Sequence, residues 1–128
     1  MNSEIKAKWL QALRSGEYKQ TRHTLRSCSG GFCCLGVLSD IYRKEVGGSW
    51  EWNYNADNAY SIVDEDREDF GTTEPPVCVV EWAGLEERNP RVQLKINDDN
   101  FFVFISLAEL NDEGKTFNEI ADLIDDQF

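Results

Sequence analysis

Apolar residues at Ile5, Trp9, Leu10 and Leu13 fall on one stripe of a helix that Asn2 or Ser3 can cap and Gly16 can end. Residues 17–27 are polar, rich in threonine and without a helical period, which predicts an extended, strand-like segment. Residues 27–31 read as a turn, and residues 32–46 as a second helix with a broad apolar face, ended by Gly47-Gly48. That helix is expected to be the most buried element. Trp50, Trp52 and Tyr54 alternate with Glu51 and Asn53, as in a short strand exposing one face. Periodicity then fades as far as Thr73, and the acidic run at residues 64–69 reads as a solvated loop or helix face.

The last third is punctuated more clearly. Pro75-Pro76 opens a short helix through Val77, Val80 and Trp82 that Gly84 closes. Residues 92–96 and 101–105 are apolar runs around the polar loop 97–100, the pattern of a hairpin. Ser106-x-x-Glu109 and Thr116-x-x-Glu119 both read as capping boxes, with Gly114 between two helices and Phe117, Ile120, Ala121 and Ile124 on the packed face of the second. With 128 residues, 41% of them hydrophobic, the chain predicts one small α+β domain, its helices packed on a short, mostly antiparallel sheet.

Charge changes this picture at one place. The chain carries 13 Lys and Arg against 24 Asp and Glu, a net −11. Lys6, Lys8, Arg14, Lys19, Arg22 and Arg26 against Glu4 and Glu17 give +4 to the first 26 residues, leaving −15 for the remainder. The basic stretch runs into Ser29-Gly30-Gly31 and the start of the second helix. Free amides at a helix start carry about half a positive charge and suit an anion. Glycines let a phosphate approach the backbone, arginine's planar fork matches it, and aromatic rings stack bases. The expected ligand site is therefore Lys19, Arg22, Arg26, Ser29, Gly30, Gly31, Trp50, Trp52 and Tyr54, taking a phosphate-bearing small molecule such as a cyclic nucleotide or an ADP-ribose derivative. No Gly-Lys-Ser/Thr follows the glycines and the spacing is not that of a dinucleotide fingerprint, so neither familiar phosphate loop is meant.

The opposite charge supports a rival. The acidic run 64–69 with Asp122, Asp125 and Asp126 could imitate a nucleic-acid backbone and bind a basic protein partner. Direct DNA binding is not expected, because the second of the two C-terminal helices carries Glu119, Asp122, Asp125 and Asp126 and no lysine or arginine. No apolar stretch approaches the roughly 18 residues of a membrane span, and the N-terminal residues lack a basic flank before an apolar run, which predicts a soluble, cytoplasmic protein. Cys33, Cys34 and Cys78 lie among Phe, Leu and Val and read as apolar packing, and no Cys-x-x-Cys pair suggests a metal. No cofactor is implied. His23 with Cys28 or Cys33 is the one pairing that would suit nucleophilic catalysis, and a non-enzyme is the expectation.

Residues 6–18, the Phe-Cys-Cys-Leu-Gly-Val-Leu of residues 32–38, Trp82-Ala83-Gly84-Leu85, and residues 106–124 with Leu-Asn-Asp-x-Gly-x-x-Phe-x-x-Ile-Ala-Asp resemble small proteins encoded by tailed bacteriophages and prophages. The resemblance implies a host bacterial cytoplasm and an accessory role, with sequestration of an immune nucleotide messenger or inhibition of a host defence protein as the two expectations. It supplies no catalytic residues. A homo-oligomer is compatible with both, since a small ligand-sequestering protein often closes its pocket with a second subunit.

Overall fold

The computed structural model describes residues 1–53, 59–63, 70–95 and 101–128. Helix α1 (Ser3–Arg14) begins where Asn2 Oδ1 accepts the N–H groups of Glu4 and Ile5, and it buries Ile5, Trp9, Leu10 and Leu13. Trp9 is fully buried and donates its indole N–H to the Cys34 carbonyl, 2.9 Å away, tying α1 to α2. Helix α2 (Cys34–Glu45) is buried continuously from Cys34 to Ile41. It starts two residues later than the apolar run suggests, because Phe32 is held in bridges to Gln20 and Arg26 and Cys33 serves as N-cap.

The segment between α1 and α2 contains only a two-residue strand, β1 (Arg26–Ser27), although its spacing suggested a longer one. The rest is fixed by side chains and neighbouring backbone. Asn111 is fully buried and donates to the Thr21 carbonyl while its Oδ1 accepts from Gln20 and from the Cys34 N–H. Leu25 runs directly against Gly36, where an added Cβ would collide with the Leu25 carbonyl oxygen and lie 2.7 Å from its carbonyl carbon.

Strand β2 (Ser49–Trp52) pairs antiparallel with β3 (Ala59–Val63), and β3 also pairs with β1 and with β4 (Phe70–Gly71). The central strand β3 lies in the stretch without legible period, since Ala59, Ser61, Ile62 and Val63 are all buried and it therefore does not alternate. Tyr54, the acidic run 64–69 and the hairpin loop 97–100 lie outside the described residues.

Helix α3 (Val77–Ala83) ends at Gly84 in the left-handed conformation, φ 71°. Strands β5 (Arg91–Lys95) and β6 (Phe102–Ser106) form the expected hairpin. Helices α4 (Leu107–Asp112) and α5 (Phe117–Gln127) follow. Thr116 and Glu119 complete a reciprocal capping box, whereas at α4 only the Ser106 half is made, its Oγ accepting the Glu109 N–H. Helix α5 packs on α1, and α1 on α2, so the core lies between these helices and the inner faces of both sheets. The architecture is α+β with antiparallel sheets. Among the described residues, no helix is long and apolar enough to cross a membrane.

The Leu25–Gly36 approach makes Gly36→Ala a severe lesion. Urea denaturation should show a loss of about 3 kcal/mol or more, at the upper end of overpacking costs. Gly16→Ala, which meets open space and only a left-handed φ of 78°, should cost about 1–2 kcal/mol.

Candidate functional site

The six N-terminal cations divide into two groups. Lys8 pairs with Glu45, Arg14 with Asp122 and Asp125, and Lys6 donates to the Asp125 carbonyl. These ties staple α1 to α2 and α5, and they neutralise part of the acidic surface expected to mimic a nucleic acid. Lys19, Arg22 and Arg26 pair with no carboxylate among the described residues.

Arg26 is the centre of the second group. It stands in register with Tyr60 of β3, which is itself opposite Trp52 of β2, so the three occupy one row across a sheet face that Trp50 shares. The Arg26 guanidinium carbon lies 4.8 Å from the Tyr60 ring centroid, 5.5 Å from Phe32 and 5.8 Å from Trp50. Its Nε is buried without a hydrogen-bond partner. Ring quadrupoles hold the cation, each contact contributing roughly 0.5–2 kcal/mol. Phe32 in turn packs edge-on between Tyr18 and Trp50, at 5.1 and 5.9 Å between centroids, and Trp52 packs edge-on against Tyr60 at 5.3 Å.

Asp40, only 4% exposed, orients this cluster from α2. Its carboxylate accepts from Tyr18 Oη at 2.6 Å, Trp50 Nε1 at 2.9 Å and Arg43 Nε at 2.9 Å, with Lys44 Nζ 3.4 Å away. Burial alone would raise its pKa. The hydrogen bonds from Tyr18, Trp50 and Arg43, with the Arg43 charge, outweigh that and hold it below the ordinary carboxylate value. Lys44 also donates to Tyr18 Oη at 3.1 Å and lies over the Tyr18 ring. Burial first, and the bond to Asp40 second, push the Tyr18 hydroxyl's pKa up. Among the described residues, Arg26, Arg43 and Lys44 thus stand against one carboxylate in a chain of net −11. Arg43 and Lys44 escaped sequence reasoning because they sit in the last turn of a helix, where cations ordinarily answer the helix dipole.

The start of α2 corrects the expectation of free amides. The Cys33 N–H bonds the Leu25 carbonyl, the Cys34 N–H bonds Asn111, and the Gly36 N–H bonds the Cys33 thiol. The glycines are likewise engaged within the turn. Gly31 is buried with its N–H on Ser27 Oγ and its Cα face against Thr21, Gly30 gives its N–H to the Ser27 carbonyl, and Ser29 Oγ bonds Ser27 Oγ. The turn satisfies itself. Arg22 is directed elsewhere, its Nη2 3.3 Å from where a Cβ on Gly114 would lie, and is not brought to the aromatic row. Lys19 is exposed and its carbonyl accepts the Phe32 N–H. Of the expected set, the structure gathers Arg26, Trp50 and Trp52, and adds Tyr18, Phe32, Asp40, Arg43, Lys44 and Tyr60.

A separate cavity of about 170 Å³ is lined by His23, Thr24, Cys33 and Asp112, among others. His23 Nδ1 lies 3.4 Å from Asp112 Oδ2, and the His23 backbone is left-handed, φ 69°, held by its N–H bond to Asp112 Oδ1. Burial pushes the Cys33 thiol up to about 11, so it stays protonated at neutral pH. A larger cavity, about 290 Å³, lies among Met1, Leu85, Glu87, Arg91 and Phe128, with Arg91 already paired to Glu87. Neither is lined by an arginine that lacks a carboxylate partner. Cys33 and Cys34 are in the core and Cys78 packs against it; among the described residues no three His, Cys, Asp or Glu side chains group as metal ligands.

Residues 1–128 match the family described as Domain of unknown function (DUF8296). The chain belongs to that family. No curated protein and no solved structure matches it.

Asp40→Asn should lower stability at pH 6 by about 3 kcal/mol, because a buried pair then loses its charged partner. A carboxylate whose folded pKa is depressed contributes its stability above the ordinary value near 3.9 and loses it as pH falls through the folded value. Urea midpoints measured from pH 6 down to pH 3 should therefore show the gap between native and Asp40→Asn protein narrowing.

Proposed function

We propose that the protein binds a phosphate-bearing nucleotide at the Arg26 cluster. The observation that carries this reading is a guanidinium held among three aromatic rings, with no carboxylate partner among the described residues, in a chain of net −11. A cation so placed keeps its outer N–H groups for a phosphate while its rings have already restricted it, so little side-chain entropy is lost on binding. Trp52, 38% exposed beside Tyr60, offers a face to a base. Arg43 and Lys44 raise the local potential, and Asp40 fixes Trp50 and Tyr18 in place without meeting the ligand.

The similarity of residues 32–38 and 106–124 to phage proteins supports a setting in which the bound nucleotide is a host immune messenger, removed by sequestration in the bacterial cytoplasm. No reaction is part of this reading.

Isothermal titration with cyclic di- and trinucleotides and with ADP-ribose tests it. One class should bind, Arg26→Ala and Trp52→Ala should each weaken it about 10- to 100-fold, consistent with roughly 1–3 kcal/mol per stacked base or ion contact. Arg22→Ala, directed away from the rings, should leave affinity unchanged. Absence of binding by every nucleotide, or an Arg26→Ala protein that folds and binds normally, overturns the reading.

A further inference from the structure

Among the described residues, the β5–β6 hairpin has one edge closed and one edge open. Gln93 of β5 receives both halves of a side-chain plug: its N–H donates to Gln127 Oε1 at 2.7 Å and its carbonyl accepts from Gln127 Nε2 at 2.9 Å. Gln93 therefore directs its backbone groups away from β6. In an antiparallel ladder the opposite residue does likewise, and residues two apart repeat the orientation. Gln93 faces Phe104 and Lys95 faces Phe102, so the N–H and C=O of Phe102 and Phe104 point outward from the free edge of β6. The bond from the Leu107 N–H to the Pro90 carbonyl, 2.9 Å, keeps the same alternation one step further along.

That edge is apolar. Residues 101–105 read Phe-Phe-Val-Phe-Ile without a charge. Phe101, Phe102 and Phe104 are 67%, 51% and 68% exposed. Natural sheets blunt a free edge with lysine, proline or a bulge, and β6 carries none of these. Val103 and Ile105, by contrast, face inward and are partly buried.

We infer that β6 pairs antiparallel with β6 of a second copy, about a two-fold axis at Phe104, forming a four-stranded sheet across the dimer. Phe104 N–H and C=O then exchange bonds with their symmetry mates, Phe102 lies opposite Ser106 of the other copy, and the phenylalanines stack across the axis on the solvent face. The strand suits its own kind. It places no acidic side chain against its mate, which an arbitrary surface of so acidic a chain would do. Three phenylalanines from each copy offer at most on the order of 700 Å² of exposed aromatic surface for burial, with the paired backbones and flanking residues supplying the rest of the roughly 1,200 Å² of a specific interface. Because Gln127 closes the other edge, each copy has a single open edge in this sheet, and pairing ends at two.

Sedimentation velocity of the full chain over a micromolar concentration series tests this. A monomer–dimer equilibrium is expected, tightened by added salt, which screens repulsion between two copies of net −11. Phe104→Lys, at an exposed position, should keep the native circular dichroism and, at concentrations where the native chain is monomeric, its melting temperature, and should abolish the dimer. Gln127→Ala, which reopens the β5 edge, should give species larger than two. In hydrogen exchange, the Phe102 and Phe104 amides should be protected at high concentration and lose that protection on dilution. A chain that stays monomeric throughout, including one whose β6 pairs only with a strand of another protein, overturns the inference. So does a dimer that survives Phe104→Lys.

Discussion

Everything around the candidate site rests on the backbone of Leu25 lying against the one position of α2 that has no side chain. Gly36 admits Leu25, Leu25 is fully buried there, and its carbonyl accepts the Cys33 N–H that begins the helix cap. The next residue is Arg26. A chain held that close to α2 has no freedom in where it sends the following side chain, and β1 carries it over Phe32, Trp50 and Tyr60. A residue with no functional group thus positions the arginine on which the candidate site is built.

Electrostatics then separate two uses of basic residues. Surface ion pairs such as Lys8–Glu45 and Arg14–Asp122 contribute little each, but they consume the cations of α1 in joining helices. Arg26 is treated differently, its charge balanced by ring quadrupoles and, among the described residues, not by a carboxylate. Among the described residues the one acid in the cluster is Asp40, which is buried and occupied by Tyr18, Trp50 and Arg43. A buried carboxylate so fully hydrogen-bonded is a poor competitor for an outside cation or for Arg26. Among the described residues, three cations, Arg26, Arg43 and Lys44, thus stand around one carboxylate even though the chain as a whole is acidic.

Most helices were legible because their signals are local. Asn2, Gly84 and the Thr116–Glu119 box act within one turn of their own backbone, and the stripes of α1 and α5 follow a period of 3.6. Strand β3 was not, because a strand buried on both faces has no alternation to read. The site was legible in part. Arg26, Trp50 and Trp52 stood out as charge and rings against an acidic background. The free amides at α2 did not materialise because Asn111 Oδ1, itself held by Gln20, accepts the Cys34 N–H, while the Leu25 carbonyl and the Cys33 thiol take the Cys33 and Gly36 N–H groups. Long-range polar pairing of this kind leaves no trace in spacing, and the same is true of Asp40, whose partners come from three different segments.

Asn111 has a further consequence for the order in which the chain becomes native. Its partners Thr21, Gln20 and Cys34 are 90, 91 and 77 residues away, and the segment that bears Arg26 has little secondary structure of its own. Loop-closure entropy across such separations is met only when the helix carrying Asn111 has already docked. The segment leading into the aromatic cradle should accordingly reach its final geometry late, because a nascent chain that lacks α4 lacks the side chain that anchors Gln20 and Thr21.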